Sequence, residues 1–266
     1  MLTKIKAFCK EPLFWELVSI GVVLLGLVIA LLVLALKPAP QPQAVPTETT
    51  AATEAPTAPT EAPTQPTEPP VTGIDVSEHQ TSIDWQQVKA SGVEFVIIRV
   101  GWRGETQGDL FADTLAQTHY AGARAAGLKV GAYIFSQAIS VEEGVADAEF
   151  LLEQTKDWEM DMFLVYNWEH LSEGNRTASV DARMLTDITK AFCRTVAQAD
   201  KRPMIYFDAY LASTRLYLEE LTEYPFWLAQ YAGEMEFSLP VKMWQYTCTG
   251  KVAGIDEAVD INRYYP

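Results

Sequence analysis

Residues 94–100 read EFVIIRV and residues 129–136 read KVGAYIFS. Both runs are nearly continuous in β-branched, aliphatic and aromatic side chains, whereas a strand with one wet face would alternate apolar with polar. Strands buried on both faces belong to parallel β/α units, whose crossover helices cover the sheet. Six more strand-like runs flank these two: GIDVS (73–77), MFLVYNWE (162–169), PMIYF (203–207), FWLAQY (226–231), KMWQYT (242–247) and AVDIN (258–262). Helical signals fill the first gaps. Asp84 is placed to cap a helix, with Gln87 three residues on to reach back and Gly92 to end it. Leu185, Ile188, Phe192 and Val196 recur on one helical face. The last three strands are separated by only about ten residues, too few for crossover helices. The fold class is therefore α/β, with a (β/α)5β3 TIM-like barrel expected.

The sequence ahead of the barrel has another character. Residues 17–36 read LVSIGVVLLGLVIALLVLAL, without a charge. At about 1.5 Å rise per residue this run matches a hydrocarbon core of about 30 Å, and predicts a transmembrane helix. Lys4, Lys6 and Lys10 precede it, so the positive-inside bias places residues 1–16 in the cytoplasm and the rest outside. The run is too long for a signal peptide, and LALKPAPQ after it makes a poor cleavage site, which favours an uncleaved anchor. Residues 37–72 form a Pro/Thr/Glu-rich linker with ten of the chain's 15 prolines, no glycine and no aromatic residue. Such a segment buries too little to offset its ordering entropy and is expected to be a disordered stalk. The expected organisation is thus a single-pass membrane protein with its folded domain, residues 73–266, outside the cell.

Charge and rare residues exclude several classes. Acids outnumber bases 35 to 20, for a net charge of −15, which argues against nucleic acid as a partner. Three cysteines cannot build a disulfide scaffold, and whether Cys193 pairs with Cys248 is left open. His and Cys fall at no metal-ligand spacing, so neither metal nor cofactor is expected. A monomer is expected.

In a β/α barrel chemistry sits at the C-terminal ends of the strands. Asp75 and Ser77 share one face of the first strand, and Asn167 and Glu169 one face of the fourth, since residues two apart project to the same side. Asp208 follows the fifth strand and Asp260 lies in the last. Glu169 follows the apolar run MFLVY and has Trp168 beside it, a setting that raises a carboxyl pKa and suits a general acid. Glycoside hydrolysis needs such an acid and a second group near an oxocarbenium-like centre. For each acid alone, a cap or salt bridge is an equal alternative. Trp102, Tyr133, Phe135, Tyr206, Trp227, Tyr231, Trp244 and Tyr246 concentrate at the same ends, where aromatic rings suit sugar faces; about half are expected to be core.

With GIDVSEHQ, IDWQQVKASGVEFVIIRVG, GLKVGAYIFSQA, LVYNWE, RPMIYF, FWLAQY, MWQYT and VDIN in this order, the chain resembles glycoside hydrolase family 25. These lysozymes (N-acetylmuramidases) cut the β-1,4 bond between N-acetylmuramic acid and N-acetylglucosamine in peptidoglycan. The resemblance spans residues 73–266. It implies the (β/α)5β3 barrel, Glu169 as proton donor, and Asp75 and Asp260 as further active-site carboxylates. It also implies Tyr133, Tyr206, Trp227, Gln230, Tyr231 and Gln245 as cleft positions, and glycan strands of peptidoglycan as partner. Two positions depart from the family. Thr81 stands where glycine is usual. Asn167 stands where the family carries the Asp of an Asp-x-Glu motif, and loss of a preorganised stabilising group costs about 10²–10³ in rate. The alternative reading is a catalytically impaired surface protein that binds wall glycan; a chitinase-like enzyme is disfavoured by GIDVS and VDIN.

Overall fold

A computed structural model describes residues 68–170 and 174–266. The transmembrane helix expected over 17–36 and the stalk up to residue 67 lie outside the described residues. No helix among the described residues is long and apolar enough to cross a membrane.

The chain enters the sheet at β1 (Val71–Val76), two residues earlier than expected, and continues through α1 (Trp85–Ala90), β2 (Phe95–Arg103), β3 (Leu110–Ala112), α2 (Ala116–Ala125), β4 (Lys129–Ser136) and α3 (Val141–Gln154). Then follow β5 (Leu164–Trp168), α4 (Ala182–Gln198), β6 (Pro203–Asp208), α5 (Ala209–Thr214), β7 (Phe226–Ala229), β8 (Met243–Gly250) and β9 (Val259–Tyr264). Six successive pairings from β1 round to β8 are parallel, and β9 closes the ring antiparallel to both β8 and β1. Eight strands thus form a closed barrel with five helix-bearing units followed by three strands, as read from the sequence. The ninth strand, β3, lies outside the ring as an antiparallel flap on β2. At three residues it is too short to carry a periodic signal.

Burial on both faces explains the continuous apolar runs. Along β2, Phe95 and Ile97 point into the barrel beside Met162, Phe163, Val165, Met204, Trp227 and Met243. Val96, Ile98 and Val100 point outward and pack in the larger layer under the helices. Leu185, Ile188, Phe192 and Val196 of α4 all face that layer. β7 and β8 run parallel without a helix between them; Met235, Phe237, Leu239 and Val241 of the connecting loop pack on the core in a helix's place.

The first helix differs in one detail from the expected capping box. Asp84 accepts from the backbone N–H of Gln86 and Gln87, but the Gln87 amide reaches the Asp84 carboxylate at 2.8 Å, not its backbone. The Asp84 N–H is instead taken by the carbonyl of Gly254 at 2.8 Å. Ser91 is the C-cap, followed by Gly92 at φ 96°, the left-handed region that glycine adopts without cost. Cys193 is buried on α4 and Cys248 is exposed on β8, and the two do not pair.

Phe95 lies directly over Gly73: a Cβ at that glycine would sit 2.2 Å from the phenyl ring. Gly73→Ala is expected to cost about 1–3 kcal/mol through overpacking, read as a lower midpoint in urea with unchanged slope.

Candidate active site

The C-terminal ends of the parallel strands form the mouth, and its residues follow from strand alternation. β1 contributes Asp75, β4 Tyr133, β5 Asn167 with Glu169 just past its end, β6 Tyr206, and β8 Gln245. β9 runs the other way and contributes Asp260 and Asn262. Trp227 of β7 lies below them as the floor, 1% exposed, with Tyr133 and Tyr206 edge-on to its ring at centroid distances of 6.5 and 4.9 Å.

Asp75 is the most constrained of the acids. Register pairs it directly with Asp260 across β1 and β9. Its Oδ2 accepts from the Asn262 amide at 2.7 Å and the Gln245 amide at 3.0 Å. Those amides are held in turn: Asn262 Oδ1 accepts from the Trp227 indole at 2.9 Å, and Gln245 Oε1 accepts from the hydroxyls of Tyr206 at 3.1 Å and Tyr231 at 2.8 Å. Burial, and then the neighbouring charge of Asp260, push the Asp75 carboxyl well above the usual range, against the two amide donors. Burial also raises Asp260, while its hydrogen bond with Asp75 opposes that rise. Two adjacent carboxyls in low dielectric do not both ionise. The stronger rise falls on Asp75, which is the more deeply buried of the two and is raised further by the charge of Asp260.

Glu169 stands on the opposite wall. Its pKa is raised, by burial first and then by the charges of Asp208 and Asp260, while a hydrogen bond from the Asn167 amide at 3.2 Å opposes the rise. Trp168 does not cause the desolvation. Adjacent residues in a strand face opposite ways, and the Trp168 ring is buried outside the barrel with its indole on the Ala138 carbonyl at 2.8 Å. The Glu169 backbone is pinned instead: its carbonyl accepts from the Gln137 amide, and Gln137 Oε1 accepts from Asn175 at 3.1 Å. Asn167 is 7% exposed, and its Oδ1 has no partner among the described residues.

A cleft of about 380 Å³ opens beside Glu169, lined by Tyr206, Asp208, Tyr210, Gln230 and Tyr231 among others. Tyr231 is 57% exposed and Tyr210 52%, so both offer ring faces to solvent. Asp208 caps α5 through Oδ1 on the Leu211 N–H at 2.7 Å, so the capping alternative holds for it while it also borders the cleft. Gln230 braces its own loop through both backbone groups of Glu236. Gln245 and Trp227 lie beneath the cleft, not on its surface. Trp244 points away from the barrel interior, its indole on the Gln230 carbonyl at 2.8 Å, and with Tyr246 it lies against Arg263.

Sequence reasoning missed the supports. Asn262 follows Asp260 by two residues and shares its face, which was a readable signal. Asp113 was not readable: it accepts from Arg99 at 2.9 Å and from the Glu78 N–H at 3.0 Å, tying the loop after β1 to β2. Thr81, where the family has glycine, uses its hydroxyl to reach Glu257 at 2.8 Å and latches that same loop to the approach of β9.

A raised carboxyl pKa means that the folded chain holds the proton more tightly than the unfolded one. The stabilisation from Asp75 is full below its ordinary pKa of 3.8 and is lost as pH climbs through the raised folded value. Asp75→Asn keeps a neutral, hydrogen-bonding side chain at every pH. Its Tm relative to the unsubstituted chain is therefore expected to rise as the pH climbs above about 4, measured by thermal melts over a pH series.

The sequence from residue 74 to 255 matches the family described as "Glycosyl hydrolases family 25". Lysozyme M1 of Streptomyces globisporus is 29% identical over 204 residues, 73% of this chain and 67% of that protein. Among solved structures, the bacterial lysozyme from Streptomyces coelicolor superposes with a TM-score of 0.61 at 26% identity, covering 74% of this chain and 92% of that one. The modular autolysin LytC from Streptococcus pneumoniae, solved with a synthetic peptidoglycan ligand, superposes at 0.65 with 26% identity and 74% of this chain covered. This chain spans about half of LytC, 47%. On these grounds, and on the barrel they share, the chain belongs to glycoside hydrolase family 25.

Proposed function

We propose that the chain is a peptidoglycan hydrolase, an N-acetylmuramidase that cuts the β-1,4 bond between N-acetylmuramic acid and N-acetylglucosamine with Glu169 as general acid. One observation carries this reading: a carboxyl whose pKa is raised by burial, at the wall of an open cleft rimmed with exposed tyrosines. In this mechanism Glu169 gives its proton to the leaving glycosidic oxygen. The adjacent carboxyls of Asp75 and Asp260 supply negative charge at the mouth, which stabilises the positive centre that develops in the ring. Tyr133, Tyr206 and Tyr231 position the sugar, and the lysozyme relatives support the substrate class.

Anchoring belongs to the same proposal. Residues 17–36 hold a monomer in the membrane with residues 1–16 inside, and residues 37–72 extend as a stalk toward the wall. The barrel domain carries a net charge of −13 and gains no long-range attraction to an anionic wall. A tether instead supplies the local concentration.

A second reading, a wall-glycan binder with impaired catalysis, is favoured by the amide at Asn167. Release of soluble muropeptides from purified peptidoglycan by the full chain tests both. Glu169→Gln is expected to lower the rate by about 10²–10⁴; equal release by both forms would sink the role of Glu169. Asn167→Asp is expected to raise turnover by about 10²–10³. It also removes the donor that holds the Glu169 pKa down and sets a like charge beside it. Glu169 then stays protonated to higher pH, and the alkaline limb of the rate profile moves upward. Unchanged turnover and an unmoved limb would favour the binder.

A further inference from the structure

A β-bulge re-aims one aromatic side chain at the mouth. Between β2 and β4, Arg99 pairs with Tyr133 but Gly101 pairs with Ile134, so Val100 is an extra residue. The inserted residue turns Gly101 outward, where the ring of Phe150 and the carbonyl of Phe111 leave no room for a Cβ. It also brings Trp102 into register with Phe135, which in turn pairs with Asn167 of β5. Trp102 therefore shares the face of Tyr133 and Phe135, at the mouth and two strand spacings, roughly 10 Å, from Asn167. Bulges of this kind commonly redirect side chains beside active sites.

The redirected ring is part of a built stack. The Arg99 guanidinium lies 5.0 Å from the Trp102 ring centroid, and Phe111 of the β3 flap stacks on Trp102 at 5.5 Å and 23°. Phe111 is 46% exposed and forms the open end. Arg99 is already paired with Asp113 at 2.9 Å and Glu78 at 3.3 Å, so the stack presents apolar ring surface to a ligand and no free cation. That chemistry fits the apolar face of a neutral pyranose better than the carboxylates of a peptide stem. In the ring of eight strands β2 lies opposite β7, after which Tyr231 stands, and β5 with Glu169 lies between them.

We propose that Trp102 and Phe111 form an outlying sugar subsite, which a glycan strand reaches after crossing the mouth from the Tyr210 and Tyr231 side past Glu169. This rests on the glycan-hydrolase reading above and adds where the strand leaves the cleft. The test is titration calorimetry on the full chain carrying Glu169→Gln, with stem-free peptidoglycan strands of two, four and six sugars. Affinity is expected to rise with strand length, and adding Phe111→Ala to remove about tenfold of that gain. Phe111→Tyr, which keeps the ring, should restore it. A length gain unaltered by Phe111→Ala, or affinity independent of length, overturns the subsite while leaving the hydrolase reading intact. No binding at any length overturns both. Phe111 is exposed, so its variants test the subsite even where Trp102→Ala fails to fold.

Discussion

The antiparallel seam between β9 and β1 is the constraint from which the site follows. Seven strands run parallel and bring their C-terminal ends to one rim. The eighth runs back, so its N-terminal half meets the C-terminal half of β1 and sets Asp260 directly beside Asp75. Burial raises the pKa of both carboxyls, and the charge of Asp260 adds to the rise of Asp75, so the pair needs a scaffold that holds its side chains in place. Asn262, Gln245, Trp227, Tyr206 and Tyr231 supply it through five hydrogen bonds that span β1, β6, β7, β8, β9 and the loop after β7. A satisfied polar network of this size is rigid and intolerant of partial loss. The same network fixes two of the tyrosines expected to touch substrate, so the electrostatics of the pair and the shape of the cleft are one construction.

On the opposite wall the logic is reversed. Among the described residues Glu169 has a single side-chain donor, Asn167, and its elevated pKa comes from burial and from acids that face it across the mouth. The two halves are therefore coupled through space: negative charge on the Asp75–Asp260 pair and on Asp208 helps keep the proton on Glu169. Much of the domain's acidity has no such duty. Asp161, Glu159 and Glu220, for example, pair with arginines and a lysine at the surface, where an ion pair contributes little to stability.

Most of the barrel was legible because its strands are buried twice over, and a run such as EFVIIRV has no other economical reading. The acids at the strand ends were legible because alternation alone puts Asn167 with Glu169 and Asp75 with Ser77. Three things were not. Trp168 is next to Glu169 in sequence, yet alternation sends it outward, so sequence adjacency misattributed the pKa shift that burial in the mouth produces. The function of Asp208 is divided between a helix cap and the cleft edge, and its residue type fits both. The bulge at Val100 inverts alternation for the residues beyond it. Nothing in VGWR announces that Gly101, not Trp102, must face the crowded outer layer until Phe150 of α3 and the Phe111 carbonyl of β3 are in place.

Asn167 shows what a single departure does inside an otherwise consistent site. With a carboxylate at this position, Glu169 would face three acids and its proton would be held more tightly. With an amide, one nitrogen donates to Glu169 Oε1 while the oxygen stays buried without a partner among the described residues. Leaving a buried acceptor unsatisfied costs about 1–3 kcal/mol, and rotating the amide would not help, because it would turn oxygen toward the Glu169 carboxyl. Only a protonated Glu169 could donate to that oxygen. The amide nitrogen can stay on Glu169 in either state, because a neutral carboxyl keeps an oxygen that accepts, but the bond favours the ionised form and so holds the pKa down. A ligand N–H delivered to the unpaired oxygen would hold the amide in this orientation, and with it the donor that opposes the rise of the Glu169 pKa. On the glycan-hydrolase reading, the acidity of Glu169 therefore rests on what a bound sugar would present to Asn167.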